Sequence, residues 1–155
     1  MSYAIRRATP DDAALLAEHR ALVWREVGDW DAEPMAAQVP VWTAWFHEAV
    51  ADGTYVAFIA EENGEAIASG AVLVHVAIPR PDWPSDREGR VQSVYVVPHA
   101  RRRGIARALM AEIIDYANAA MLIRLMLHPS EEARPLYASL GFEQADQMGL
   151  RLTGE

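Results

Sequence analysis

The chain contains no cysteine and no lysine. Without cysteine there are no thiol nucleophiles, disulfides or thiolate metal sites, and a reducing cytoplasm is the expected location. Without lysine, all 14 basic residues are arginine. Chemistry that needs a lysine, such as a Schiff base or a Walker A phosphate clamp, is therefore closed to this chain. Codon bias alone explains an all-arginine composition, so it carries no function by itself. No run approaches the ~20 apolar residues of a membrane span, and the opening residues Met1 to Arg7 lack the apolar core of a signal peptide. The 5 histidines show no metal-ligand spacing, and no metal is expected. A net charge of −8 argues against generic affinity for nucleic acid or anionic membranes.

What remains is an ordinary globular composition. The 155 residues suit one domain over 1–155, and a 52% hydrophobic content supplies a core without covalent staples. Tyr3 to Ala8 alternates apolar and polar residues and reads as a strand. Thr9-Pro10-Asp11-Asp12 starts a helix that runs to about Val27. Trp42, Trp45, Phe46 and Ala49 form the apolar stripe of a second helix, expected from Pro40 to just before Gly53. Tyr55–Ala60 and Ala66–Ile78 pair as a hairpin around Asn63-Gly64. Pro79 to Gly89 reads as a long loop. Arg90–Val97 is a strand, Gly104–Ala119 a helix, Met121–His128 a central strand and Glu131–Leu140 a short helix. One or two further strands are expected in Phe142–Leu152. The order predicts an α/β architecture, a mixed sheet of six to seven strands flanked by about four helices.

The segment that carries chemistry is the turn between the Arg90–Val97 strand and the helix after it. Arg101, Arg102, Arg103 and Arg107 crowd around Gly104 and Ala106 in an acidic protein. A helix start supplies unpaired N–H groups and the positive end of a dipole. Gly104 and Ala106 leave the backbone open to close approach. This is an anion site suited to phosphate or pyrophosphate; a solvated basic turn is the plainer alternative. It is neither a Walker A loop nor a G-x-G-x-x-G fingerprint.

Arg101-x-x-Gly104-x-Ala106, preceded by Val96-x-Pro98 and followed by Ala108-Leu109-Met110, resembles motif A of the GNAT superfamily of acyl-CoA-dependent N-acyltransferases. Ala133-Arg134-Pro135-Leu136-Tyr137-Ala138-Ser139-Leu140-Gly141-Phe142 resembles that family's A-x-x-L-Y-x-x-x-G-F motif. The resemblance spans essentially the whole chain. It implies a mostly antiparallel sheet with strands splayed at the cofactor site, and acetyl-CoA as acyl donor. Its pantetheine would lie on the backbone of Val94, Tyr95 and Val96. Its pyrophosphate would bind at Arg101, Arg102, Arg103, Gly104, Ile105, Ala106 and Arg107. Tyr137 maps to the residue that protonates the leaving thiolate, with packing at a helix end as its plainer role. Ser130 stands where many members use asparagine to hold pantetheine, and Gln92 where many carry a glutamate base.

The missing glutamate leaves the base open. Glu26 is the foremost candidate, since Leu15, His19, Leu22 and Glu26 share one stripe of the first helix, and a carboxylate at the edge of an apolar face suits that role. An ion pair with an arginine is the competing role for Glu26. His128 and His75 are further candidates. Arg134 reads as a grip for an anionic group or as a surface ion-pair partner. Trp24, Trp30, Trp42 and Trp45 read as core or as walls of an acceptor pocket. The function implied is acetyl transfer to the primary amine of a small, amino-acid-like acceptor, and homodimers are common in such families. A non-catalytic acyl-CoA-binding module and a protein N-terminal acetyltransferase are the alternatives.

Overall fold

Strand β2 (Tyr55–Glu62) is buried on both faces along Tyr55–Ala60, because successive side chains point to opposite sides of a sheet. Tyr55, Ala57 and Ile59 face one apolar cluster with Leu16, Ala17, Phe46 and Ala49. Val56, Phe58 and Ala60 face a second cluster with Ile105, Leu109, Met110 and Ile113. A sheet covered on both sides is the result, and each fully buried aliphatic side chain contributes about 1.5–3 kcal/mol. The computed structural model describes residues 2–28, 32–83 and 85–152.

The five-stranded sheet runs in chain order, β1 (Ala4–Arg7), β2, β3 (Glu65–Val76), β4 (Arg87–Val96) and β5 (Leu125–Met126). The pairs are antiparallel up to β4, and β4 pairs with β5 in parallel. The helices α1 (Ala13–Val27) and α2 (Ala32–Asp52) cover one face, and α3 (Ile105–Ala119) covers the other with α4 (Arg134–Ser139). The β2–β3 turn has positive φ at both Asn63 (53°) and Gly64 (80°), the signature of the type I′ hairpin expected from this dipeptide.

Several elements differ from the sequence reading. Helix α2 begins at Ala32, so Pro40 lies inside it and one intrahelical N–H bond is forgone. Strand β4 reaches back to Arg87, and the loop before it is correspondingly shorter. The long strand expected over Met121–His128 shrinks to Leu125–Met126, since Met121 takes a left-handed φ of 57° and the ladder to β4 holds just Gly89–Leu125 and Arg90–Met126. No strand forms among residues 142–152, and among the described residues the sheet has five strands where six to seven were expected. With Met148, Leu150 and Leu152 all exposed, nothing covers an apolar face there to hold a strand in register.

Gly89 sits where β5 and the chain leading into it cross closely over β4. A Cβ there would lie 2.6 Å from Val72 Cγ2, 2.9 Å from Leu125 Cδ2 and 3.0 Å from Leu122 Cδ1. Gly89→Ala is expected to destabilise the fold by about 1–3 kcal/mol through overpacking; an unchanged urea midpoint would refute the close crossing. At the other edge, Arg6 grips both oxygens of Asp12 at 2.8 Å, and Asp12 accepts the Thr9 N–H at 2.8 Å. Arg6 holds the Asp12 carboxyl below its ordinary range. Its stabilisation is complete above the unfolded-chain value of about 3.9 and fades as pH falls through the lower folded value. Asp12→Asn should therefore be less stable than the parent at neutral pH, with the gap narrowing as pH falls below the unfolded-chain value of about 3.9. Urea midpoints across that range check it.

Candidate active site

The chain leaves β4 through a 3-10 turn, Pro98–Ala100, and enters α3 at Ile105. Between them Arg102 (φ 64°) and Gly104 (φ 77°) are both left-handed, a backbone curl that gathers successive N–H groups. Among the described residues, no backbone N–H from Arg102 to Arg107 donates to a protein acceptor, and the first helical bond outward is Ala108 N–H to the Gly104 carbonyl at 3.1 Å. The arginine side chains are mostly committed elsewhere. Arg101 donates through Nε to the Val96 carbonyl at 2.9 Å and through Nη2 to Glu26 at 2.6 Å. Arg103 makes a forked pair with Glu62 at 2.6 and 3.1 Å, and Arg107 donates to Ser139 at 2.7 Å. The anion-binding capacity of this loop thus rests on backbone N–H groups, with the exposed Arg102 beside them.

Strands β4 and β5 part after Arg90–Met126. Beyond that point no described strand pairs with this edge of β4, and a cavity of about 580 Å³ opens between Val91–Val94 and residues 127–130. Tyr137 lines its inner wall and also borders a neighbouring space of about 500 Å³ with Arg134 and Phe142. Helix α4 holds the phenol edge-on against Phe142, ring centroids 5.7 Å apart. Burial pushes the Tyr137 hydroxyl's pKa up, so it stays protonated at neutral pH. Ser130 caps the turn before α4 by accepting the Ala133 N–H at 3.2 Å and lines the same cavity with Gln92 and His128. Ser93 and Val94 form a bulge in β4, with Ser93 at a φ of 52°, and Tyr95 follows in register with Ser69. The Tyr95 side chain packs inward on His19, and the Val96 carbonyl is taken by Arg101.

Glu26 is not gathered into the cavity. It is exposed, bound to Arg101, and absent from the cavity wall that Val23 and Val27 of the same helix help form. Its stripe-mate His19 is buried, shares a 2.7 Å hydrogen bond between Nδ1 and Ser69 Oγ, and is kept neutral by burial. His75 pairs with Glu88 at 3.6 Å away from the cavity. Arg134 is held by Glu131 and Gln144. Trp45 packs against Phe46 and Tyr55; Trp30 lies outside the described residues.

Sequence reasoning missed Arg20. Its guanidinium stands 5.5 Å from the Trp24 ring and 5.2 Å from the Trp42 ring, contacts worth about 0.5–2 kcal/mol each. It donates to Ser93 Oγ at 3.2 Å. Burial lowers its pKa. The Tyr55 hydroxyl shares Ser93 and is pushed up to about 12 by its own burial. Arg20 also lines a compartment of about 220 Å³ with Arg90, Gln92, Ser93 and His128, adjoining the β4–β5 cavity. The i, i+4 spacing of Arg20 and Trp24 was the available signal; the third partner, Trp42, comes from another helix.

Among the described residues no cluster of three or more His, Asp or Glu side chains could hold a metal, and no helix is long and apolar enough to cross a membrane. A sequence model of the acetyltransferase (GNAT) family matches residues 16–142. The chain is 35% identical over 95 residues to the uncharacterized N-acetyltransferase YhfO of Bacillus subtilis (strain 168), covering 57% of this chain and 59% of that protein. It is 32% identical over 111 residues to glucosamine 6-phosphate N-acetyltransferase 1 of Oryza sativa subsp. japonica, covering 69% and 66%. The chain thus spans less than two thirds of the length of each of these curated relatives. A crystal structure of a GCN5-related N-acetyltransferase from Ralstonia eutropha JMP134 superposes with a TM-score of 0.88 at 30% identity, covering 99% of this chain and 100% of that one. A predicted acetyltransferase from Clostridium acetobutylicum, solved with acetyl-CoA, gives 0.87 at 26% identity, covering 98% and 96%. The strand–loop–helix turn with its open N–H groups and the parting of β4 from β5 stand within the matched residues, and the chain belongs to the GNAT acetyltransferase family.

Proposed function

We propose that this protein transfers an acetyl group from acetyl-CoA to the primary amine of a small, amino-acid-like acceptor, by direct attack within a ternary complex. One observation carries the reading: the free N–H groups from Arg102 to Arg107 lead along the open edge of β4 to the buried phenol of Tyr137. A pyrophosphate suits the first, an extended pantetheine arm suits the second, and a thioester suits the third. The Clostridium acetobutylicum relative solved with acetyl-CoA supports the same donor.

In this reading the backbone of Arg102–Arg107 binds the diphosphate and the backbone around Val94–Val96 aligns the arm, with Ser130 opposite. Backbone N–H at the Val94 bulge polarises the thioester carbonyl. The amine nitrogen bonds to the carbonyl carbon, the carbon–sulfur bond breaks, and Tyr137 gives its proton to the departing sulfur. The proton shed by the nitrogen passes to His128, the imidazole that lines the cavity beside Gln92 and Ser93, and solvent restores the phenol. Glu26, tied to Arg101, holds the end of the β4 loop instead of acting as the base.

The test is free-thiol release from acetyl-CoA with a panel of amines. Tyr137→Phe keeps the ring against Phe142 and removes only the proton donor. It should lower kcat about a hundredfold or more while leaving acetyl-CoA binding by calorimetry intact. Undiminished kcat in this variant would remove Tyr137 from the chemistry, and binding of acetyl-CoA with no thiol release from any amine would sink the transferase reading.

A further inference from the structure

The compartment beside the β4–β5 cavity is cationic in a protein whose net charge is −8. Arg20 and Arg90 both line it, and no carboxylate does among the described residues. Six arginines elsewhere pair with acids: Arg6 with Asp12 and Glu61, Arg80 with Asp82, Arg101 with Glu26, Arg103 with Glu62, Arg124 with Glu88 and Arg134 with Glu131. Arg20 and Arg90 have no such partner among the described residues. Arg20 is half-buried and held in place between Trp24 and Trp42 with Ser93 as its hydrogen-bond acceptor. A guanidinium taken out of water without a counter-ion is costly, and its planar fork is preorganised for a carboxylate or a phosphate. The compartment shares Gln92, Ser93 and His128 with the space that reaches Tyr137, so the two spaces adjoin along β4.

We propose that the acceptor is an amine bearing a carboxylate or phosphate group, and that Arg20, supported by Arg90, receives that group and sets the specificity of the reaction. This inference rests on the acetyl-transfer reading above. The chemistry shared by the two candidate anions is recognition by a guanidinium, and separate arms of one experiment tell them apart.

The experiment measures kcat/KM for matched pairs with acetyl-CoA: α-amino acids against their carboxamides, and amino-alcohol phosphates against the free amino alcohols. The anionic member of at least one pair should be preferred by about ten- to a hundredfold, the worth of a charge-assisted hydrogen bond. The preference should reside in KM, and the pair that displays it names the anion. Arg20→Gln should bring that ratio close to one, and Arg20→Lys should keep part of it. Should Arg20→Gln fail to fold, Arg90→Gln on β4 should narrow the same ratio. Neutral amines used as well as their anionic partners would overturn the anion site and leave acetyl transfer standing. Thiol release with none of the amines, at intact acetyl-CoA binding, would overturn both.

Discussion

A parallel ladder of two residue pairs, Gly89–Leu125 and Arg90–Met126, governs this molecule. Gly89 lets the incoming chain cross close over β4. Past Arg90 the bulge at Ser93–Val94 turns β4 away, and residues 127–130 and Tyr137 stand across the gap. Had the ladder continued, the edge of β4 would be spent on hydrogen bonds within the sheet. Because it stops, the edge of β4 from Val91 to Val94 faces a cavity instead of a neighbouring strand. The loop of open N–H groups at one end of this edge and the phenol at its side gain their relation to each other from that parting.

The bulge has a second consequence. Ser93, turned into a left-handed conformation, offers its hydroxyl to Arg20, and Tyr55 shares it from below. The same irregularity therefore ties Arg20 of α1, and through its contact with Trp42 also α2, to β4. His19 and Ser69 make a similar tie one register position away, where Ser69 faces Tyr95. Helix α1 thus meets β4 through Arg20 and His19 and the loop after β4 through Glu26, which holds Arg101.

Much of the fold is written in local chemistry. Asn63-Gly64 specifies its hairpin because both positions tolerate positive φ. The Arg101–Ala106 turn announces a helix start with open N–H groups, and with the Tyr137 segment it carries the family resemblance. Less legible were features that depend on distant partners. Glu26 looked like a residue of an inward stripe, but Arg101, far along the chain, holds it at the surface. The apolar Met121–His128 run reads as a long central strand, yet a ladder needs a neighbour that stays parallel to it. Phe142–Leu152 reads as one or two further strands, yet Met148, Leu150 and Leu152 are exposed and no described face receives them.

The sequence by itself determined the turn into α3 with its open N–H groups, the hairpin, the apolar faces of the helices and the family, because each rests on residues within a turn or two of one another. Tertiary structure alone decided which arginines are neutralised by acids and which remain open to a ligand, where β4 and β5 part, and which imidazole meets the cavity. Those outcomes depend on contacts between segments remote in the chain. The charge left unbalanced at Arg20 is visible only once Trp24, Trp42 and Ser93 have been brought around it.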